Sequence, residues 1–257
     1  MRVVSVPCLK DNFAYLVIDH DGRCAVVDPG EAAPVEAALV REHAQLAAIW
    51  ATHHHHDHVG GVRELVAGRT GIEVVVGAKD APRTPDVTRT LEDGDEVALG
   101  TLRARCIHNP GHTLGAISYV VDGCVFTGDT LFGGGCGRVF EGDPAMMHAS
   151  LMRLAALPPE TRVYFGHEYT SSNLRFAAAV EPDNPRIAAR ARSLATPSTP
   201  STPSTPSTPS TIADERATNP FLRCAEPAVV AAAGARGAGG DPVSVFAAVR
   251  AWKDGFK

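Results

Sequence analysis

The stretch THHHHDH, from Thr52 to His58, places five histidines and one aspartate within seven residues. Imidazole nitrogens and carboxylate oxygens are ligands that suit zinc, iron and manganese. The preceding LAAIWA has the composition of a strand, and side chains along an extended chain alternate between two faces. An extended chain would therefore point His53, His55 and Asp57 toward one centre, as in a metal site.

The chain then bends, which brings a further ligand within reach. Gly60 and Gly61 predict a sharp turn, and VRELVA after them predicts a helix. His58 lies at the bend and can turn toward the same centre, whereas His54 and His56 face the other way. The run is internal and contains an aspartate, which disfavours an affinity tag. An exposed histidine-rich loop that binds metal adventitiously is the alternative.

Three later segments each end on a metal-type side chain. NPGHT, VFTGDT and VYFGHE place His112, Asp129 and His167 after apolar strands. One such residue alone is more often structural, but three of them together with the histidine run are hard to attribute to chance. Seven side chains suffice for two metals that share a carboxylate, and two metals about 3.5–4 Å apart can clamp the reacting oxygens of a hydrolysis. The sequence therefore predicts a hydrolytic metal centre.

Short apolar segments are predicted to carry these residues as strands. They are rich in Val, Ile, Phe and Tyr, are bounded by Gly, Asp or Pro, and read NFAYLVID, CAVVDPG, LAAIWATH, IEVVVGA, LRARCIHNPG, AISYVVDG, CVFTGDT and VYFGHE. Alanine-rich stretches with helical spacing lie between some of them, most clearly at 31–44 and 146–157. The chain up to about residue 170 is therefore predicted to form a mixed α/β layered domain.

Beyond about residue 170 the strand signals end. SSNLRFAAAV, PRIAARARSLA and PVSVFAAVRAWKDGF predict helices, and Asp241 and Pro242 supply a cap and a first helical residue for the last one. Five Thr-Pro-Ser triplets follow the second of these helices. A proline at every third position excludes helix and sheet and favours an extended polyproline conformation. We expect a passive surface loop over 196–211, and deletion of residues 199–210 is expected to leave activity nearly intact.

Composition and charge narrow the class of protein. The 257 residues exceed most single domains, so one large domain, or one with a smaller appendage, is expected. The 44% hydrophobic and 21% charged content is typical of a soluble globular protein. A formal net charge of -5 with no basic block argues against a nucleic-acid partner. No apolar run reaches the roughly 18 residues of a membrane span, and no secretory leader is evident. The six cysteines are scattered and include no C-x-x-C pair. We therefore expect a cytoplasmic protein with reduced thiols and no membrane partner.

These motifs together resemble a known family. T-H-x-H-x-D-H with the later G-H-T, G-D-T and G-H-E is similar to the metallo-β-lactamase superfamily, and within it the chain resembles glyoxalase II (hydroxyacylglutathione hydrolase) along nearly its whole length. The stretches that carry the resemblance are VVDPG, THHHHDHVGG, NPGHTLGAISY, FTGDTLFGGGCGRVFEG, FGHEYTSSNLRFA, PSTIADERATNPFLR and VRAWKDGFK. The resemblance implies a four-layer αββα sandwich over 1–170 and a smaller helical substrate-binding domain over 171–257.

The resemblance also implies two divalent metal ions per chain, which are expected to be zinc, with iron or manganese as alternatives. Metal one takes three ligands, which are His53, His55 and His112. Metal two takes another three, which are Asp57, His58 and His167. Asp129 bridges the metals together with a hydroxide, and Asp57 also orients this nucleophile. His54 and His56 are not ligands, and Asp28 of VVDPG is the family's buried acid beside the metal loop.

The implied substrate is S-D-lactoylglutathione, which attack by the metal-bound hydroxide would split into D-lactate and glutathione; a monomer is expected. Glutathione carries two carboxylates, and binding it needs a few placed cations but not a basic protein. The residues assigned to it are Arg138, Tyr169, Arg250 and Lys253. The last two are three apart and share a face on a helix. Arg138 stands where the family often has Lys, and Phe140 stands where some members have Tyr and lacks the hydroxyl for one hydrogen bond.

Three alternatives stay open at the level of sequence. A lactonase or β-lactamase of the superfamily would share the ligand motif but would not need the C-terminal cations. A glutathione-linked persulfide dioxygenase would use a single iron, whereas Asp57 and His58 together favour two metals and hydrolysis. A non-catalytic metal-binding protein would not need all seven ligands. Metal analysis separates them, because two-metal hydrolysis requires about two ions per chain and the dioxygenase about one iron.

Overall fold

Two six-stranded sheets form the centre of the fold in the computed structural model of the chain, which describes residues 1–195 and 207–256. The first sheet contains, in both chain and spatial order, β1 (Arg2–Cys8), β2 (Asn12–Ile18), β3 (Arg23–Val27), β4 (Gln45–Trp50), β5 (Glu73–Gly77) and β6 (Arg89–Leu91). Its first three strands pair antiparallel, and β3 to β6 pair parallel. Short hairpin links allow the antiparallel pairs, whereas the parallel pairs need longer crossovers.

The second sheet comes from the middle of the chain and from one C-terminal strand. Its strands are β7 (Glu96–Leu99), β8 (Leu102–His108), β9 (Ile117–Val121), β10 (Cys124–Gly128), β13 (Arg162–Phe165) and β14 (Ser210–Thr211), while β11 (Leu131–Phe132) and β12 (Gly135–Cys136) form a separate hairpin. The spatial order is β14-β13-β10-β9-β8-β7. Asp122 and Gly123 join β9 to β10 with φ angles of 47° and 70°, the left-handed values of the tight turn predicted there.

Helices cover both outer faces of the sheets. In the described part of the chain they are α1 (Ala32–Arg41), α2 (His56–Val59), α3 (Val62–Val66), α4 (Pro144–Ala155), α5 (Thr170–Val180), α6 (Pro185–Ala195), α7 (Ile212–Thr218), α8 (Pro227–Gly234) and α9 (Pro242–Asp254). The side chains of Asp143 and Asp241 cap α4 and α9, and a proline follows each cap, as predicted for α9. The sequence did not predict α2, α7 or α8. Among the helices described, none has the length and apolar character needed to cross a membrane.

The alternation of side chains along β2 divides the interior into two hydrophobic cores. Tyr15 faces the second sheet and joins the core between the sheets, whereas Leu16 faces outward and packs beneath α1 and α3. On the other side, Leu151 of α4 and Phe246 of α9 belong to the same core as the strands of the second sheet. The order is helix, sheet, sheet, helix, which confirms the predicted four-layer αββα sandwich.

The C-terminal region is joined to the sandwich through this shared core. Strand β14 pairs antiparallel with β13 and so completes the second sheet from the C-terminal side. Phe176 of α5 stacks on Phe221 and contacts Trp252 of α9, and Phe176 and Phe221 both belong to the core that the sheets share. The helices beyond residue 170 are therefore held in a fixed position beside the strand ends.

The predicted repeat loop is only partly a loop. Residues 196–206 of it lie outside the described residues. Thr208 is buried, and its hydroxyl oxygen lies 3.2 Å from that of Tyr15. The hydroxyl of Ser207 donates a hydrogen bond to the carboxylate of Glu168. The expectation of a passive loop is therefore wrong for Ser207 and Thr208, because their hydroxyls have partners within the fold.

Candidate metal centre

The histidine run follows β4, but it is not extended along its whole length. His55 keeps an extended ψ of 142°, and the chain then enters the short helix α2. The N–H of Gly60 donates to the carbonyl of His56 at 2.6 Å, and the N–H of His58 donates to that of His55 at 2.9 Å. The expected alternation is therefore wrong beyond His55, because a helical turn, and not a strand, brings Asp57 and His58 to the site.

Three histidines form the first group of candidate ligands. Nε2 of His53 lies 3.1 Å from Nδ1 of His55, and Nε2 of His112 lies 2.9 Å from the same atom. The ring centroids are 4.7 to 5.0 Å apart and the rings lie edge to face. The ligand nitrogens all lie within 4.8 Å of one another. The structure thus brings together the three residues predicted for metal one.

The second group combines two histidines with one carboxylate. Nε2 of His167 lies 3.3 Å from Nε2 of His58 and 3.3 Å from Oδ2 of Asp57. Asn12 fixes the aspartate, because its Nδ2 donates to Oδ2 of Asp57 at 3.0 Å and to the backbone carbonyl of Asp57 at 3.1 Å. These are the three residues predicted for metal two, and their ligand atoms also converge within 4.8 Å.

The carboxylate of Asp129 lies between the two groups. Its Oδ2 is 3.5 Å from Nε2 of His112 and 3.3 Å from Nε2 of His167, and its Oδ1 is 3.2 Å from Nε2 of His58. Oδ1 is buried and has no hydrogen-bond partner among the described residues. A buried anionic oxygen without a hydrogen bond, facing imidazole nitrogens, is suited to a bound cation. This placement is the one that a bridging ligand requires.

The ring nitrogens that point away from the centre have partners of their own. Nδ1 of His58 lies 3.0 Å from Oδ2 of Asp28, and Nδ1 of His167 lies 3.0 Å from Oδ1 of Asp11. The ring of His112 pairs in the same way with a backbone carbonyl at 2.8 Å. Such partners fix the orientation of a ring and leave its other nitrogen directed at a metal.

The sequence predicted one of these supporting acids and missed the other. Asp28 also accepts hydrogen bonds at 2.7 Å from the N–H and from the hydroxyl of Thr52, so it supports the metal loop as expected. Asp11 lies in the link between β1 and β2, and Asn12 begins β2. Both residue types are ordinary turn formers. No signal in the sequence marks them as part of a site. A backbone hydrogen bond of 2.8 Å from the start of β2 to the end of β13 brings this link to the centre.

The two groups differ in protonation. Burial lowers the pKa of His55 to about 4 and holds the pKa of His53 well below its usual range. Burial would also lower the pKa of His167, but its hydrogen bonds to Asp129 and Asp57 raise that pKa to about 10. The first group is therefore neutral at pH 7, while the second keeps a proton next to carboxylates. Neutral imidazoles are ready ligands, and a metal cation can replace the proton of the second group, so the donor set fits two cations.

A cavity of about 560 Å³ opens beside both groups. Such a volume is within the range for small-ligand sites. It is lined by metal-type residues of each group and by all four residues predicted to bind the substrate, which are Arg138, Tyr169, Arg250 and Lys253. Arg250 and Lys253 reach it from the same helix, α9, as their spacing predicted. The structure therefore places the predicted cations beside the candidate metal centre.

The two cations of α9 are held differently. Arg250 is buried, and its guanidinium donates to the carbonyl of Cys136 at 2.9 Å and to Oδ1 of Asp254 at 3.0 Å. The ammonium of Lys253 donates to the carbonyl of Ser172 at 3.4 Å, and burial lowers the pKa of Lys253 to about 8. Arg250 therefore also anchors the helix, whereas Lys253 is the more available of the two for an anionic ligand.

Aromatic side chains border the cavity. The ring of Tyr169 stacks on that of His167, with centroids 5.0 Å apart and an interplanar angle of 5°. Burial raises the pKa of Tyr169 to about 12, so its hydroxyl stays protonated and can donate a hydrogen bond. Phe140 is 61% exposed, and its ring centroid lies 5.2 Å from that of His112. Arg138 is also exposed and can move to meet a ligand.

One thiol also lines the cavity. Burial raises the pKa of Cys136 to about 11, so the side chain is a neutral thiol near pH 7. The thiolate and not the thiol is the nucleophile in cysteine catalysis. Cys136 is therefore not prepared to attack a substrate.

The fold and the candidate metal ligands agree with membership of the metallo-β-lactamase superfamily. Residues 10–167 match the family model of the metallo-β-lactamase superfamily, and residues 168–256 match the model described as hydroxyacylglutathione hydrolase C-terminus. The class B3 metallo-β-lactamase BLEG-1 shares the fold, with a TM-score of 0.65, 24% identity, and coverage of 86% of this chain and 99% of that one. The structure of TTHA1623 in a di-iron-bound form has a TM-score of 0.56, 33% identity, and coverage of 65% and 92%.

A relative with high identity over its full length shows which family within this superfamily the chain belongs to. The hydroxyacylglutathione hydrolase of Alkalilimnicola ehrlichii is 51% identical to this chain over 98% of each protein. The chain therefore belongs to the hydroxyacylglutathione hydrolase family, which confirms the resemblance found in the sequence.

Proposed function

We propose that the protein hydrolyses hydroxyacylglutathione thioesters, and S-D-lactoylglutathione in particular, at a centre of two divalent metals. The observation that carries this proposal is one cavity in which both groups of candidate ligands meet Arg250 and Lys253. The names of the relative and of the C-terminal family model support the thioester. The di-iron form of TTHA1623 supports two metals.

The positions of the donor atoms support an assignment of each candidate ligand to one of two metals. Metal one would be held by His53, His55 and His112. Metal two would be held by Asp57, His58 and His167. Asp129 would bridge them, and zinc suits this set of nitrogen and oxygen donors. When bound, a metal pair lowers the pKa of a water toward about 7 and polarises a carbonyl oxygen.

The chain itself positions the reactants. Asp57, which Asn12 holds in place, can accept a hydrogen bond from the attacking water and so orient it toward the thioester carbon. The hydroxyl of the water becomes part of the D-lactate carboxyl group, the bond between carbon and sulfur breaks, and the remaining proton goes to sulfur. The cations Arg250 and Lys253 would bind the glutathione carboxylates, and the Tyr169 hydroxyl can donate to the glutathione peptide.

The C-terminal region, residues 171–257, would contribute the substrate cations Arg250 and Lys253, and residues 1–170 would contribute all the metal ligands. We propose further that the protein acts as a monomer in the cytoplasm. All six cysteines are buried free thiols, which fits a reducing compartment.

A comparison of substrates tests the proposal. Steady-state rates are measured for S-D-lactoylglutathione, a lactone and a β-lactam, and oxygen uptake is measured with glutathione persulfide. We expect turnover of the thioester without oxygen uptake, and no turnover of the other three above background. Oxygen uptake with the persulfide, or faster cleavage of the lactone or β-lactam than of the thioester, would refute the proposal.

A further inference from the structure

A buried acid close to the loops that carry the candidate metal ligands has no role in the chemistry proposed above. Asp80 follows β5 and precedes a short 3-10 turn at Ala81–Arg83, and its side chain is fully buried. A buried carboxylate is costly unless hydrogen bonds or charges satisfy its oxygens. The groups that satisfy Asp80 therefore indicate what this residue does in the fold.

The carboxylate of Asp80 joins two loops that are distant in sequence. Its Oδ2 accepts hydrogen bonds from the backbone N–H of His54 at 3.1 Å and from the hydroxyl of Thr113 at 2.7 Å. Its Oδ1 accepts one from the backbone N–H of Gly115 at 3.0 Å. Nδ1 of the His54 ring adds a contact of 3.1 Å to Oδ2. One side chain thus ties the loop after β4 to the loop after β8.

These two loops supply the three ligands proposed for metal one. His53 and His55 flank His54, and His112 directly precedes Thr113. The two histidines proposed for metal two are oriented by different carboxylates. Asp57 and His58 lie further along the first loop, but the ring of His58 is oriented by Asp28. The contacts of Asp80 therefore act most directly on the ligands proposed for metal one.

The packing around Asp80 leaves the loops little freedom to move apart. A Cβ atom at position 115 would lie 2.3 Å from Oδ1 of Asp80, so only Gly115 allows this close approach. Glu141 holds the same loop from another side, because it accepts a hydrogen bond from the N–H of Leu114 at 2.8 Å and lies 3.8 Å from Nε2 of His54. The relative position of the two loops is thus set by these contacts.

We infer that Asp80 is a positioning residue that fixes the distance between His55 and His112 and thereby sets the affinity of the first metal site. This inference rests on the proposed two-metal centre and deepens it. Asp80 acts through the backbone of one loop and through Thr113 of the other, so its loss should weaken one metal and spare the second. Residues that orient ligands from behind commonly change metal affinity by about 10- to 100-fold.

The test compares variants of the full chain loaded with zinc. Asp80→Asn keeps the shape of the side chain but leaves at least one of its donors without an acceptor, and Thr113→Val removes only the hydroxyl donor to Oδ2. Thr84→Val is the matched control, because Thr84 is a buried threonine whose hydroxyl donates to the backbone carbonyl of Asp80 at 3.0 Å and not to the carboxylate. Zinc per chain is measured after equilibration with graded concentrations of a competing chelator, and His55→Ala identifies the release step of metal one.

We expect Asp80→Asn and Thr113→Val to release one zinc at about 10- to 100-fold lower chelator concentration, with the second release unchanged. Thr84→Val should release both zincs as the wild type does, even if its melting temperature falls. Thr113→Val decides the question if Asp80→Asn does not fold, which circular dichroism shows.

Three results would overturn the role of Asp80. The first is that both zincs bind equally more weakly in Asp80→Asn and Thr113→Val. The second is that neither variant binds either zinc more weakly. The third is that Thr84→Val also releases the zinc of metal one at a lower chelator concentration. A wild type that holds a single zinc refutes the two-metal proposal instead. The inference is then judged by whether Asp80→Asn and Thr113→Val weaken that zinc while Thr84→Val does not.

Discussion

Lys253 gives the sharpest prediction about the substrate, because its charge titrates near neutral pH. The side chain is half-buried, its ammonium stands 5.3 Å from the ring centroid of Phe176 and 5.9 Å from that of Phe256, and its pKa is lowered to about 8. A lysine of this pKa is charged below pH 8 and neutral above it. If the ammonium binds a glutathione carboxylate, affinity is present at pH 7 and is lost as the pH rises through 8.

The size of the expected rise in KM follows from the titration of Lys253. A group with a pKa of about 8 is roughly 90% protonated at pH 7 and roughly 10% at pH 9, so KM should rise about tenfold between these values. The upper limit is the hydrogen bond to a charged group, about 1.5–3 kcal/mol, which corresponds to about 12- to 150-fold. The turnover number kcat should respond less, because this contact is made in both the ground state and the transition state.

Two substitutions separate Lys253 from other titrating groups. Lys253→Arg keeps a cation that stays charged at pH 9, so its KM should lack the rise seen in the wild type. Lys253→Met removes the charge, so its KM at pH 7 should already match or exceed that of the wild type at pH 9. KM for S-D-lactoylglutathione is measured from pH 6.5 to 9.5 by the loss of thioester absorbance, with spontaneous hydrolysis subtracted. A flat KM in the wild type, or a rise that persists unchanged in Lys253→Arg, would show that Lys253 does not bind the glutathione carboxylate. The amine of the substrate also titrates in this range, but it does so equally in every variant and therefore does not account for a difference between them.

Three further outcomes are expected. Asp129→Ala should lose both metals, because its carboxylate faces both ligand groups, and a full metal content measured by mass spectrometry would contradict this. His55→Ala should lose one metal per chain, whereas His56→Ala, a change at an exposed side chain, should keep both and retain its turnover of the thioester; equal effects would speak against the assignment. Deleting residues 199–204 should leave kcat unchanged, whereas Thr208→Val should cost about 1 kcal/mol and lower Tm by about 2–4 °C, since the Thr208 hydroxyl pairs with a buried tyrosine; thermal unfolding and steady-state kinetics check both.

The sequence predicts the parts of the fold that have a periodic signal. β2, β4, β8, β10 and β13 are runs of apolar residues bounded by turn formers, and each was predicted. Strong helical spacing likewise revealed α1, α4 and α9. Strands of two or three residues, such as β14, carry too few residues for a period to show. They form because neighbouring strands supply hydrogen-bond partners.

The residues of the candidate metal site could likewise be predicted only where the sequence carries a local signal. His112, Asp129 and His167 could be found because each follows a predicted strand and has a residue type that binds metal. The helical turn at Asp57 could not, since a helix of four residues has no periodicity to read. Asp11 could not either, because its role depends on a contact between segments more than 150 residues apart, Nδ1 of His167 to Oδ1 of Asp11.

The burial of Arg250 also depends on tertiary contacts that the sequence does not reveal. On an isolated helix a cation would face solvent. Here the carbonyl of Cys136 and the carboxylate of Asp254 accept from its guanidinium, so the side chain is both a wall of the cavity and an anchor of α9. The sequence spacing predicted that Arg250 and Lys253 share a face of the helix, but only the packing shows that Arg250 also anchors α9.

We propose that two metals, held by the two groups of ligands that meet at Asp129, perform thioester hydrolysis. This proposal is tested most directly by adding zinc stepwise to chelated protein and measuring bound zinc and turnover of S-D-lactoylglutathione on the same samples. We expect turnover to reach its maximum at about two zinc ions per chain. Full turnover at one zinc per chain, or none at two, would contradict it.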